Sequence, residues 1–168
     1  TSSGDETYLI RLSHLASKFL KENLEALKIE FRPASSEDAV IPAVNSMLSD
    51  KHLKNRMLLK TTDFKEVQLA AEILACSSVN LREIYKGEYV DQELFAIRVI
   101  STYFTFYHAV ITGSYWEELD LGLPKKQLTT IERWPPKNGK DEGLDIAQIG
   151  GRKAVLTALA KIREYLLQ

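Results

Sequence analysis

The stretch Leu94 to Ile111, LFAIRVISTYFTFYHAVI, is the longest near-continuous apolar and β-branched run in the chain. Its residue types favour two strands, Leu94 to Ile100 and Tyr103 to Ile111, with Ser101-Thr102 as the turn between them. In the second strand Phe104, Phe106, His108 and Val110 share one face, while Tyr103, Thr105, Tyr107, Ala109 and Ile111 share the other. Neither face is plainly polar. Such a strand belongs in the middle of a sheet with a layer packed on each side, so the rest of the chain must supply two covers.

Amphipathic segments provide them. Tyr8, Leu12, Leu15, Ala16, Phe19, Leu24 and Leu27 recur at helical spacing behind a Ser3/Glu6 capping box, which predicts a helix from about Asp5 to Leu27. Lys28 to Ala34 alternates briefly and reads as a short strand ended by Pro33. Ser35 and Asp38 repeat the capping spacing, and Pro42 shortens or kinks the helix that follows, about Glu37 to Leu48. Arg56 to Lys60 reads as another short strand. A long helix, about Phe64 to Tyr85, carries Val67, Ala70, Ala71, Leu74, Leu81 and Ile84 near one stripe. Ser77, Ser78 and Val79 weaken it, and a break just past Cys76 is expected there. Beyond the hairpin, Ser114 and Glu117 form a capping box opening a short helix at Tyr115 to Leu119. Leu128 to Trp134 alternates as a third strand ended by Pro135-Pro136, Lys137 to Gly143 is a turn or loop, and Val155, Ala158, Leu159, Ile162, Tyr165 and Leu166 mark a last helix at about Arg152 to Leu167.

At 168 residues, 45% of them hydrophobic, the chain can bury a core as one domain without disulfides or metal. The formal net charge of -1 disfavours a strong non-specific grip on nucleic acid. A lone cysteine, Cys76, excludes an internal disulfide and a multi-cysteine zinc site, and fits a reducing, intracellular setting. No run approaches the roughly 18 apolar residues that span a membrane. The opening TSSGDE lacks the basic and apolar regions of a signal peptide.

Several residues invite a functional reading. Gly150, Gly151, Arg152 and Lys153 stand at the start of the last helix, where free amides and the helix dipole favour an anion. Neither phosphate-loop signature occurs, and a glycine-rich junction needs no ligand. Cys76 and His108 could pair as nucleophile and base, but Cys76 lies within an apolar helical segment and His108 shares a face with Phe104 and Phe106. His14 and His52 have no second ligand at metal spacing. Among the aromatics, Tyr115, Trp116 and above all Trp134, which ends a strand before two prolines, are candidate anchors for a protein partner. The alternative for Trp134 is packing as a lid over the sheet edge. No cofactor and no metal site are expected.

Taken as strand (Arg56 to Lys60), long helix, strand (Leu94 to Ile100) and strand (Tyr103 to Ile111), the middle of the chain resembles the PD-(D/E)XK restriction-endonuclease-like superfamily, and FAIRVISTYFTFY is similar to segments of uncharacterised fungal proteins. The resemblance implies a strand bearing an E-x-K motif, whose acidic residue and lysine hold a divalent cation and position the attacking water. Lys60 matches the motif lysine, and Leu58 stands where the carboxylate would be. Asp63-Phe64-Lys65 spells D-x-K at a helix start, where Asp63 also reads as an N-cap. The resemblance then implies a degenerate nuclease-like fold or a fragment without its catalytic half, and an active nuclease would have Lys60, Asp63 and Lys65 as its only identifiable site.

The expectation is therefore a single α/β or α+β domain. Its small, mostly antiparallel sheet is built on a hairpin at about 94–111 and a strand at about 128–134, flanked by helices. The leading function is a non-catalytic protein-protein interaction module of a larger protein. A nuclease-like domain binding nucleic acid is the alternative.

Overall fold

A computed structural model describes residues 25–41, 56–62, 66–136 and 143–167, the strand 56–62 by its backbone. Six strands form one sheet: β1 (Ile29–Pro33), β2 (Arg56–Thr62), β3 (Gln92–Ile100), β4 (Tyr103–Ile111), β5 (Thr129–Trp134) and β6 (Leu144–Asp145). Three helices accompany them: α1 (Glu66–Glu83), α2 (Gly113–Asp120) and α3 (Ile149–Leu166). The class is α+β.

The hairpin lies where its two apolar faces require. The strand order is β1-β5-β4-β3-β2, so β4 is central, and β6 pairs with the start of β4 beyond the end of β5. The two-residue turn holds Ser101 at φ 55, a left-handed conformation that tight hairpin turns demand. Three of the five pairings are antiparallel: β3–β4, β4–β5 and β4–β6. The outer strands join by parallel pairing, β1 on β5 and β2 on β3. Only β4 runs against the rest, so β1, β2, β3 and β5 deliver their carboxyl ends to one edge of the sheet.

Strand alternation divides the core in two. One face of the sheet presents Leu94, Ala96, Tyr107, Ala109, Ile111 and Ile131 to Leu69, Ala70 and Ile73 of α1 and to Tyr115 of α2. The opposite face presents Phe95, Ile97 and Phe106 to Val155, Ala158 and Ile162 of α3, together with Val40 and Ile41. Helices thus cover both sides of a strand that is apolar on both sides.

Several local expectations need correction. Helix α1 continues through Ser77 and Val79 without a break. Ser77 is buried, but its hydroxyl accepts from Trp116 Nε1 (2.9 Å), and nearby Asn80 donates to Gln92 Oε1 (3.1 Å). Buried polar groups with partners cost the helix little. The short helix starts at Gly113 rather than Tyr115: its N-cap is Thr112, whose hydroxyl accepts from Tyr115 N at 3.2 Å, not Ser114. Glu37 to Ala39 forms one 3-10 turn, Val40 and Ile41 follow outside any helix, and the rest of the helix expected to Leu48 lies outside the described residues, as does nearly all of the one expected from Asp5 to Leu27. Strand β6 falls just after the expected loop and was not foreseen.

Candidate binding cleft

Period-two alternation carries an unexpected row of polar residues inward on the α1 face. On β3 the face that holds Leu94 and Ala96 continues to Arg98, which pairs with Thr105 on β4. On β5 the face that holds Ile131 continues to Arg133, opposite Tyr107. Both arginines are buried, Arg133 to 3% exposure. Glu66, in the first turn of α1, reaches into this row. Its Oε1 accepts from Tyr107 Oη (3.3 Å) and lies 3.3 Å from Arg133 Nε. A carboxylate in the first turn of a helix also faces the favourable end of the helix dipole. Burial pushes the Tyr107 hydroxyl above its ordinary value and the Glu66 charge adds to this, while the Arg133 charge and hydrogen bonds with Arg98 and Arg133 pull it back.

Arg133 is poorly served. Although it is in ion-pair range of Glu66, none of its three guanidinium nitrogens makes a well-formed hydrogen bond within the described residues. A buried guanidinium whose donors are only partly satisfied is costly, and native proteins rarely leave one so. It does not face solid protein, however. Arg133 lines a cleft of about 360 Å³ together with Phe31, Arg32, Pro33, Glu66 and Pro136. The cleft opens at the carboxyl ends of the parallel pair β1–β5, beside the start of α1. Ligands of open α/β sheets commonly collect at such carboxyl ends. Arg32 at the rim is paired with Glu30 and mostly exposed.

The residues singled out in the sequence fall in different places. Trp134 adjoins the cleft in sequence, but its ring packs on Phe106 (5.9 Å) on the opposite face of the sheet, partly buried. Tyr115 is fully buried, donates to the Leu27 carbonyl at 2.9 Å and presents no surface. Trp116, partly buried, borders a second, more open concavity of about 460 Å³ with Leu81, Arg82, Tyr89 and Asp120. Polar groups there already have partners: Tyr89 Oη donates to Asp120 Oδ2 (2.8 Å), and Arg82 pairs with Glu83 (2.9 Å). Trp116, Tyr115 and Trp134 therefore form no common site.

Gly150, Gly151, Arg152 and Lys153 do open α3, within its first turns. A Cβ at Gly151 would collide with the Asp145 carbonyl of β6, so this glycine permits close packing of helix on strand. Arg152 and Lys153 are exposed. Cys76 packs on the α1 side of the sheet and His108 lies on the other, so the sheet separates them. Burial and the neighbouring Glu72 raise the Cys76 thiol above its usual value, which opposes nucleophilic use. His108 instead stacks on Phe95 and bonds Glu93 Oε1 through Nε2 at 2.9 Å. Lys60 lies opposite Ile97 in the β2–β3 register, with Leu58 opposite Phe95. Asp63, Lys65, His14 and His52 lie outside the described residues.

Arg98 and Arg133 are the residues that the sequence reading passed over. The signal was present: each extends an inward-facing set at period two, Leu94-Ala96-Arg98 and Thr129-Ile131-Arg133. No group of three His, Cys, Asp or Glu among the described residues could hold a metal ion, and no described helix is long and apolar enough to cross a membrane. No family model matches the chain, and no curated protein or solved structure matches it either.

Proposed function

We propose that this domain is a non-catalytic protein-recognition module that receives a segment of a partner protein in the cleft lined by Phe31 and Arg133. The observation that carries the reading is the cleft itself, with apolar walls from Phe31, Pro33 and Pro136 over a buried, unsatisfied Arg133. Apolar walls with one well-placed polar group are the usual composition of a recognition pocket. Proline rings at both sides add stiffness, which lowers the entropic cost of ordering the site.

The test is selection of random displayed peptides on the purified protein, followed by mapping of each binder through backbone amide shifts. The expected result is saturable binding that perturbs Phe31, Arg32 and Arg133. Binders that map only to the α2 or α3 surface, or no binders at all, would overturn the cleft reading.

A nuclease-like domain remains the second reading. What supports it is the element order: a strand at 56–62, a long helix, then the paired strands 92–111, as the resemblance implied. Its measurement is a titration with labelled single- and double-stranded DNA and RNA, with and without Mg²⁺, at two salt concentrations. Salt-sensitive binding with Mg²⁺-dependent cleavage lost in Asp63→Ala or Lys65→Ala would put this reading first.

A further inference from the structure

We infer that the cleft receives a proline-rich segment of the partner, whose backbone carbonyl oxygens accept from the Arg133 guanidinium. This rests on the protein-recognition reading and names the chemistry of the segment received.

The polar side chains of the lining decide what can enter. Arg133 is 3% exposed and lines the cleft, and its Nη1 and Nη2 make no well-formed hydrogen bond within the described residues. A guanidinium carries five N–H donors and no acceptor. With Glu66 near Nε and a loose contact to the Tyr107 hydroxyl, most of those donors are still unfilled. Glu66 is in the opposite condition. Its Oε1 already takes the Tyr107 hydroxyl and faces Arg133, and the residue has further contacts. Arg32 is paired with Glu30 and is itself a donor, and the other lining side chains, Phe31, Pro33 and Pro136, are apolar. The open capacity of these side chains is therefore all donor. An ordinary peptide amide brings an N–H with every carbonyl, and a buried N–H without an acceptor is costly. An amide that precedes proline brings the carbonyl alone. A run of prolines is a pre-formed polyproline II helix with no internal hydrogen bonds, and its rings suit apolar and aromatic walls such as Phe31, Pro33 and Pro136 supply. A hydrogen bond from a guanidinium to a carbonyl is charge-assisted, hence stronger than one between neutral groups. An anion on the same donors would stand beside the Glu66 carboxylate, which also lines the cleft, whereas a carbonyl has no net charge to be repelled.

The experiment follows the Arg133 side-chain Nε–H signal and the backbone amides of Phe31 and Glu66 by NMR in the wild-type protein. Separate titrations use end-blocked hexaproline, end-blocked hexaalanine and benzoate. Hexaproline is expected to shift these signals saturably, with hexaalanine and benzoate each at least about tenfold weaker. In Arg133→Met, which keeps a long apolar chain and loses every donor, the Phe31 and Glu66 amides should no longer answer hexaproline. Arg133→Lys, which keeps the charge but loses the fork, should bind it about tenfold more weakly than wild type. A response to hexaalanine or benzoate that matches hexaproline overturns the assignment, as does an Arg133 signal that answers none of the three. Undiminished hexaproline binding in either variant overturns it too, because the donors would then play no part. Peptides selected on the protein that occupy the cleft without any proline would sink the proline assignment while leaving the recognition reading intact. Selected peptides that map only to the α2 or α3 surface, with hexaproline silent, would remove the recognition reading itself.

Discussion

Tyr165 donates its hydroxyl to Glu93 Oε2 at 2.7 Å, tying the last turn of α3 to the first strand of the central hairpin. The second oxygen of the same carboxylate meets His108 Nε2 at 2.9 Å, and the Tyr165 ring stands edge-on to Phe95. One buried carboxylate thus joins a helix and two strands. Tyr165→Phe keeps the ring contact and removes only the hydroxyl, so a loss of about 2 kcal/mol is expected from a hydrogen bond to a charged acceptor. Urea unfolding followed by far-UV circular dichroism measures it, and an unchanged midpoint would count against the link.

Thr112 and Ser114 make a matched pair for the start of α2. Only Thr112 caps the helix through its side chain, so Thr112→Ala is expected to cost about 1 kcal/mol. Ser114 is exposed, and Ser114→Ala should stay within about 0.5 kcal/mol of wild type. The same unfolding assay ranks the two, and the reverse order would show that the cap is misassigned.

Gly150 and Gly151 should respond in opposite directions. Nothing lies near a Cβ at Gly150, so Gly150→Ala is expected to gain up to about 1 kcal/mol from helix propensity alone. Gly151→Ala drives a methyl into the Asp145 backbone and should cost about 2 kcal/mol. Differential scanning calorimetry of the two variants would show one melting above and one below the parent.

Alkaline pH should destabilise the protein through Tyr115. Burial pushes its hydroxyl up to about 12 from an ordinary value of 10. Between those values the unfolded chain has released the proton and the folded protein still holds it. Stability is therefore fully present below pH 10 and declines as pH rises toward 12. Tyr107, also raised, acts in the same direction. Tyr115→Phe should flatten part of that decline, seen as a smaller fall in urea midpoint between pH 9 and pH 11 than wild type shows.

Glu66 and Arg133 form a partly unsatisfied ion pair, and its energetics can be isolated by a double-mutant cycle. Removing Glu66 alone, as Glu66→Leu, leaves a buried guanidinium facing less negative charge and should cost about 3 kcal/mol. Adding Arg133→Leu to that variant should recover most of the loss, because the charge that required compensation is gone. Additive losses would mean that the two side chains are not coupled.

Much of the architecture can be read from the residues, because alternation and burial agree along the hairpin. Leu94 to Ile111 is apolar on both faces and is covered on both faces. The cleft was hidden because charge and periodicity disagree at Arg98 and Arg133. Charged side chains normally face solvent, and only the register against Thr105 and Tyr107 shows that these two do not. Ser77 misled for a related reason: its partner, Trp116, stands 39 positions away, where no local pattern links them. Tyr115, an anchor candidate by residue type, is consumed by the core, where its ring joins the apolar cluster and its hydroxyl donates to the Leu27 carbonyl.

The parallel partnership of β1 with β5 also has a history in time. Ile29 sits opposite Thr129, so the two strands are separated by about a hundred positions of chain. At translation speeds of about 5–20 residues per second, β1 leaves the ribosome roughly 5–20 s before its partner exists. The hairpin of β3 and β4 closes meanwhile through short-range contacts. Strand β1 thus waits for its partner, and during that interval Ile29 and Phe31 lack the neighbours that β5 gives them in the folded sheet.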